Sequence, residues 1–290
     1  MLTRISPKPY DQSGFSRPAL RSLQPRAFFQ YSQKRARQVE PAYKFPSFKN
    51  VHLDSIRVSF KPAPTEDFVI PKDVKVLDTD LEQYVVPHVD SDVLSNPKFD
   101  SKKIGKNETL TDTLVDELLR FAKLNSFPLM IINKPRHELY FGDYCVVANP
   151  EFLIKSQDCV LVAVEDKHLD IVRPGSGFGE PQLAIEILSS GSENSRPYYD
   201  EKLGYFRDQT VFAIRVISLH VTFYKAMIPA KYWNELENNY PEEQSIEILK
   251  WPAINLKDSG FDLAEPDGRK KVLYSLINIR QSLLQSIRNN

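Results

Sequence analysis

One segment constrains this chain more than any other. Five apolar residues, Val160-Leu161-Val162-Ala163-Val164, lead directly into Glu165-Asp166-Lys167-His168. The run 159–165 predicts a central strand buried on both faces, because a half-exposed strand would carry polar residues at alternate positions. Side chains alternate along a strand, so Glu165 and Lys167 share one side while Asp166 takes the other. Two residues of rise set them about 6–7 Å apart, close enough to serve one small site. A lone charge against a buried strand is costly. The pair therefore requires a salt bridge, a metal or catalysis.

Fourteen residues before Glu165 stands Glu151, in Pro150-Glu151-Phe152-Leu153-Ile154. Two strands joined by the polar turn 155–158 form a hairpin, and its geometry brings Glu151 beside Glu165. Carboxylates at hydrogen-bonding range repel unless a cation lies between them. Mg²⁺, a hard cation held by one or two carboxylates plus water and substrate phosphate, suits that arrangement.

The flanking pattern predicts the frame. A helix over 107–125 places Leu110, Leu114, Leu118 and Phe121 at core spacing. Pro128 closes it, and short strands follow at 129–132, 139–141 and 144–148, with 152–154 continuing the last after a bend at Pro150. Beyond the buried strand come a glycine-rich loop at 174–179, a helix over 180–190 and strands at 211–218 and 220–224. A helix at 229–238 and a strand at 245–249 precede a final helix over 268–287. Its apolar stripe is Val272, Leu276, Ile279, Leu283 and Ile287. There is no regular βα alternation and no repeat of 20–50 residues. The expected fold class is α/β, a mixed sheet flanked by helices, rather than a doubly wound fold.

A Pro-acid dipeptide on a hairpin, followed by a hydrophobic strand ending in acid-x-Lys, resembles the PD-(D/E)XK, or restriction-endonuclease-like, nuclease superfamily. The helix carrying Glu117 in front and the helix carrying Gln182 behind extend the likeness over roughly residues 107–225. Its order of helix, three strands, helix, strand is the superfamily's common core. Glu165-Asp166-Lys167-His168, Glu180-Pro181-Gln182-Leu183-Ala184 and Phe212-Ala213-Ile214-Arg215-Val216 further resemble fungal and crinkler-type members. The resemblance implies that Glu151 and Glu165 bind Mg²⁺, with Mn²⁺ as the alternative. It implies that Lys167 holds the attacking water or the scissile phosphate. Glu117 would orient the metal shell from its helix, and Gln182 would assist Lys167 or touch nucleic acid. The implied activity is metal-aided hydrolysis of phosphodiester bonds, in DNA ahead of RNA. One departure stands out: the superfamily's usual Asp is here Glu151, with Asp143 as a rival. The second reading is accordingly a catalytically inactive nuclease-fold protein that binds nucleic acid or serves as an effector or interaction module.

Blander readings accompany these residues. Glu165 and Lys167 also suit an edge-of-strand ion pair, and Glu151 a solvated hairpin acid. Glu117, among Asp112, Asp116 and Arg120, suits an exposed helix face. Gln182 sits at the amino end of its helix in either case. Gly175-Ser176-Gly177-Phe178-Gly179 lacks the spacing of a nucleotide-binding loop. Tyr198, Tyr199, Tyr205 and Phe206, among Arg196, Lys202 and Arg207, suit base stacking or core packing. Neither a Ser-His-Asp nor a Cys-His arrangement is supported, and Cys145 and Cys159 form neither a disulfide framework nor a zinc site.

Charge divides the chain. Lys and Arg balance Asp and Glu at 38 each, yet residues 1–39 hold eight basic residues and one acid, leaving 30 basic and 37 acidic residues elsewhere. A globally basic nucleic-acid binder is not indicated, so such contact must use local patches or the basic arm. The expected organisation is a basic, irregular arm over 1–45, an N-terminal extension packing on the core over 46–105, and a nuclease-like domain over 106–290. The arm resembles a mitochondrial transit peptide, with Arg26-Ala27-Phe28-Phe29-Gln30-Tyr31-Ser32 like a fungal processing region. A nuclear signal on Lys34-Arg35-Ala36-Arg37 is the alternative. No run of about 18 apolar residues exists, so no membrane-spanning helix is expected.

Overall fold

A computed structural model describes residues 43–44, 50–72, 108–141, 144–156, 159–167, 179–195, 206–253 and 260–289. Of 43–44, 50–51, 108–110, 144, 159–167, 195 and 289 only the backbone is described. The basic arm, His168, Asp143, most of the glycine-rich loop and Tyr198, Tyr199 and Tyr205 lie outside the described residues.

The described strands are β1 (Tyr43–Lys44), β2 (Val58–Pro62), β3 (Met130–Asn133), β4 (His137–Phe141), β5 (Tyr144–Ala148) and β6 (Phe152–Ser156). They continue with β7 (Cys159–Lys167), β8 (Gln209–Ile217), β9 (His220–Ile228), β10 (Ile246–Trp251) and β11 (Phe261–Asp262). The helices are α1 (Asn50–Ser55), α2 (Glu108–Phe121), α3 (Glu180–Ser195), α4 (Ala230–Asn238) and α5 (Pro266–Asn289). The large sheet runs β2-β10-β9-β8-β7-β6-β3, with β11 on β9, and a small sheet runs β1-β5-β4. β3, β6 and β7 are successively antiparallel, β7 and β8 parallel, β8 and β9 antiparallel, so the sheet is mixed.

Helices cover both faces. On one, Phe152, Ile154, Phe212, Ile214, Val216 and Phe223 pack with Val115 and Leu119 of α2 and Val272, Leu276, Ile279 and Leu283 of α5. On the other, Val211, Ala213, Tyr224, Ala226 and Ile248 pack with Leu183, Ile187 and Leu188 of α3 and Tyr232 and Trp233 of α4. Burial of each such aliphatic side chain stabilises by about 1.5–3 kcal/mol. Two covered faces explain why β8 and β9 are buried along most of their length rather than at alternate positions.

Two expectations change. Residues 152–154 do not prolong β5. β4 and β5 form a hairpin in the small sheet, and the chain passes through Asn149-Pro150 into the large sheet as β6. Leu139, Phe141, Val146 and Ala148 of that hairpin belong to the same apolar cluster as α3, so this helix has apolar partners in both sheets. Second, α3 runs on to Ser195 rather than stopping near 190. Ser189-Ser190-Gly191-Ser192 has the composition of a break. Here tertiary packing needs the small residues: a Cβ on Gly191 would lie 2.7 Å from Cζ2 of Trp233.

Candidate metal and phosphate site

The sheet register assembles the site. Asn133 pairs with Phe152, Phe152 with Val164, Val164 with Ile214, and Ile214 with Phe223. This apolar row crosses the sheet. One step further, Glu165 pairs with Arg215 and Arg215 with Thr222. The same step from the β6–β7 register sets Glu151 beside Glu165. The backbone N–H of Lys134 donates to the carbonyl oxygen of Glu151 at 2.9 Å, extending the row past β3. Lys134, Glu151, Glu165 and Arg215 thus form one rung across four adjacent strands. It lies near the carboxyl ends of the parallel pair β7 and β8, the end at which open α/β sheets receive ligands. Lys167 ends β7 two positions further, paired with Ile217.

The described side chains give the rung its electrostatics. Nζ of Lys134 lies 3.0 Å from Oε2 of Glu151 and 3.5 Å from Oδ2 of Asp112, which projects from α2. The Glu151 carboxylate, reinforced by Asp112, holds the Lys134 ammonium above the usual lysine range. Lys134 adopts φ +47°, a left-handed turn conformation that ends β3. Arg215 is 3% exposed, and its guanidinium lies 5.4 Å from the centre of the fully buried Tyr224 ring. Next to Tyr224 in the sheet, Lys250 is 4% exposed and its Nζ pairs with Oε1 of Glu180 at 2.8 Å, at the start of α3.

The expected site residues divide. Glu151 and Glu165 are neighbours by register, with Lys167 at the end of the same strand. Gln182 is exposed in the first turn of α3, and its Nε2 donates to Oε1 of the buried Glu186 at 3.0 Å. Glu117 is exposed. It lies about 140° around α2 from Asp112, at 100° per residue. The helical acid in contact with the rung is therefore Asp112. Asp116, one turn on, pairs with Arg120 at 2.8 Å.

Asp112 and Lys134 extend the site beyond the sequence reading, and Arg215 stands in the same backbone row on β8. Arg215 had a legible signal: it is the single charge within the apolar run 211–217. Asn133-Lys134-Pro135 carries only a turn signal, and Asp112 is one acid among several on its helix.

The donor set suits a hard divalent cation. Oε2 of Glu151 and Oδ1 of Asp112 are shielded from solvent, and Oδ1 of Asp112 accepts no hydrogen bond. Oε2 of Glu151 already faces the Lys134 ammonium at 3.0 Å. Shielded carboxylate oxygens of this kind suit a cation. Among the described side chains, no three His, Cys, Asp or Glu residues converge as metal ligands. The third carboxylate expected, that of Glu165, belongs to a residue described by its backbone alone. Compared with protein-family models and with curated protein sequences, the chain matches none.

Among the described residues, no helix is long and apolar enough to cross a membrane.

Proposed function

We propose that this chain is a Mg²⁺-dependent nuclease of the PD-(D/E)XK type, hydrolysing phosphodiester bonds in DNA ahead of RNA. The observation that carries the reading is the charged rung Lys134-Glu151-Glu165-Arg215 beside Lys167, reached through the order α2, β3, β6, β7, α3, β8. With the β4–β5 hairpin set apart, that order is the helix, three strands, helix and strand that the family resemblance implies.

In this reading Glu151 and Glu165 hold the cation and Asp112 supports it from α2. When bound, Mg²⁺ supplies a Lewis acid that polarises the phosphate and lowers the pKa of a coordinated water. Lys167 positions the attacking water or the scissile phosphate and offsets charge that grows there. Arg215, buried on β8 beside position 165, supplies a fixed positive charge at that end of the rung. Gln182 contacts the nucleic acid or steadies Lys167.

The second reading, a nuclease fold that binds without cutting, draws on the engagement of Glu151 by Lys134 and on Glu in place of the usual Asp. One experiment separates the two. Purified protein and a Lys167→Ala variant are incubated with labelled DNA and RNA, with Mg²⁺ or with chelator. Cleavage that needs the metal and falls at least about 100-fold in the variant supports the nuclease, the scale of a lost transition-state contact. Retained binding without cleavage supports the second reading. Absence of binding at modest salt removes both, because phosphate contacts dominate such affinity.

A further inference from the structure

Two carboxylates from different elements, Asp112 on α2 and Glu151 at the start of β6, converge on one ammonium group, that of Lys134. The lysine is anchored through its main chain, whose N–H is bonded to Glu151 at 2.9 Å. Its side chain is 64% exposed, whereas those of Asp112 and Glu151 are 22% and 19% exposed. Oδ1 of Asp112 is shielded from water and accepts no hydrogen bond, and the shielded Oε2 of Glu151 is the oxygen that faces the Lys134 ammonium. The acids are thus largely shielded, and their cationic partner is the exposed member. Without a cation between them, two partly shielded carboxylates repel.

We propose that Lys134 is an internal counter-ion of the metal site: its ammonium holds Asp112 and Glu151 together in the apo protein, and an incoming divalent cation displaces it into solvent. This inference rests on the metal-site reading above. It adds a control on metal loading that the acid-x-Lys pattern does not contain. The displaced ammonium stays tethered beside the site, where it can meet a substrate phosphate as a point charge. Metal binding is weakened by the ion pair that must first be broken. That pair is exposed on the lysine side, so the effect is on the order of a few-fold.

The test is Mn²⁺ binding to the full chain, read directly from the electron-spin-resonance signal of free Mn²⁺, without substrate or turnover. The proteins are the wild type, Lys134→Gln, Glu151→Gln and Lys123→Gln. Lys123→Gln makes the same charge change at an exposed residue just after α2. The expected result is that Lys134→Gln binds Mn²⁺ about threefold more tightly than wild type, while Lys123→Gln is unchanged and Glu151→Gln loses binding. Equal or weaker binding in Lys134→Gln, or an equal gain in Lys123→Gln, overturns the counter-ion and leaves the metal site standing. Undiminished binding in Glu151→Gln puts the cation elsewhere and overturns it as well. No binding by wild type or Lys134→Gln overturns both the counter-ion and the metal site on which it depends.

Discussion

At the scale of single residues, charge behaves here according to where its partners lie. Lys134 and Glu151 meet because two strand ends share a rung, and Arg215 is tolerated in a buried strand beside Tyr224 and an acidic neighbour. Glu235 illustrates the same principle away from the site. Its Oε2 accepts the backbone N–H groups of Glu242, Glu243 and Gln244 at 2.9, 3.1 and 3.1 Å, tying the loop after α4 to the helix. Burial works against the charge, but the three amides, with Arg57 nearby, together hold the carboxyl below its usual range. A depressed folded-state value means that this stabilisation is complete above the unfolded pKa, about 4.3. It is lost as pH falls through the folded value. Glu235→Gln is therefore expected to lower stability by about 1 kcal/mol at pH 7, and to flatten the loss of stability below about pH 4.3. Urea unfolding across pH 3 to 7 measures both, and parallel acid slopes for wild type and variant would refute this role.

Elements are more legible than their neighbours. β7 follows from an almost unbroken apolar run, β8 from one interrupted by Arg215, and α5 from its 3.6-residue stripe with Pro266 as its first residue. The sequence alone ends α3 early because Ser189-Ser190-Gly191-Ser192 has low helix propensity. The missing information is Trp233 on α4, far along the chain. Gly191→Ala is expected to destabilise by about 1–3 kcal/mol, since its Cβ would approach Trp233 to 2.7 Å and Cδ1 of Ile228 to 3.2 Å. Against any isolated helix, Ala should be the better residue by about 1 kcal/mol. Chemical denaturation decides the sign. The double variant Gly191→Ala, Trp233→Phe should recover part of the loss, and additive effects of the two changes would show that the contact is not the cause.

At the scale of the whole molecule, the sheet needs a cover on both faces. α5 supplies much of one, laying Val272, Leu276, Ile279 and Leu283 over the cluster that contains Phe212, Ile214 and Phe223. Ending the chain at Glu265 exposes that surface to water. The expected outcome is loss of cooperative unfolding and strong binding of a hydrophobic dye, with secondary structure partly retained. A sharp two-state transition in the shortened protein would contradict the packing described.

The residues alone disclose the identity and order of most elements, and the placement of Glu165 and Lys167 at the end of a central strand. Those properties are local: they rest on side-chain alternation and helical period, which neighbouring residues encode. The sequence also put Glu151 beside Glu165, because a short hairpin leaves the register little freedom. The tertiary structure decided that β4 and β5 leave the main sheet, that α3 passes through its glycine unbroken, and that Asp112 rather than Glu117 reaches the rung. It also brought Lys134 to Glu151 and set Arg215 level with Glu165. Each of these depends on contacts between segments distant in sequence, and neither alternation nor helical period carries that information.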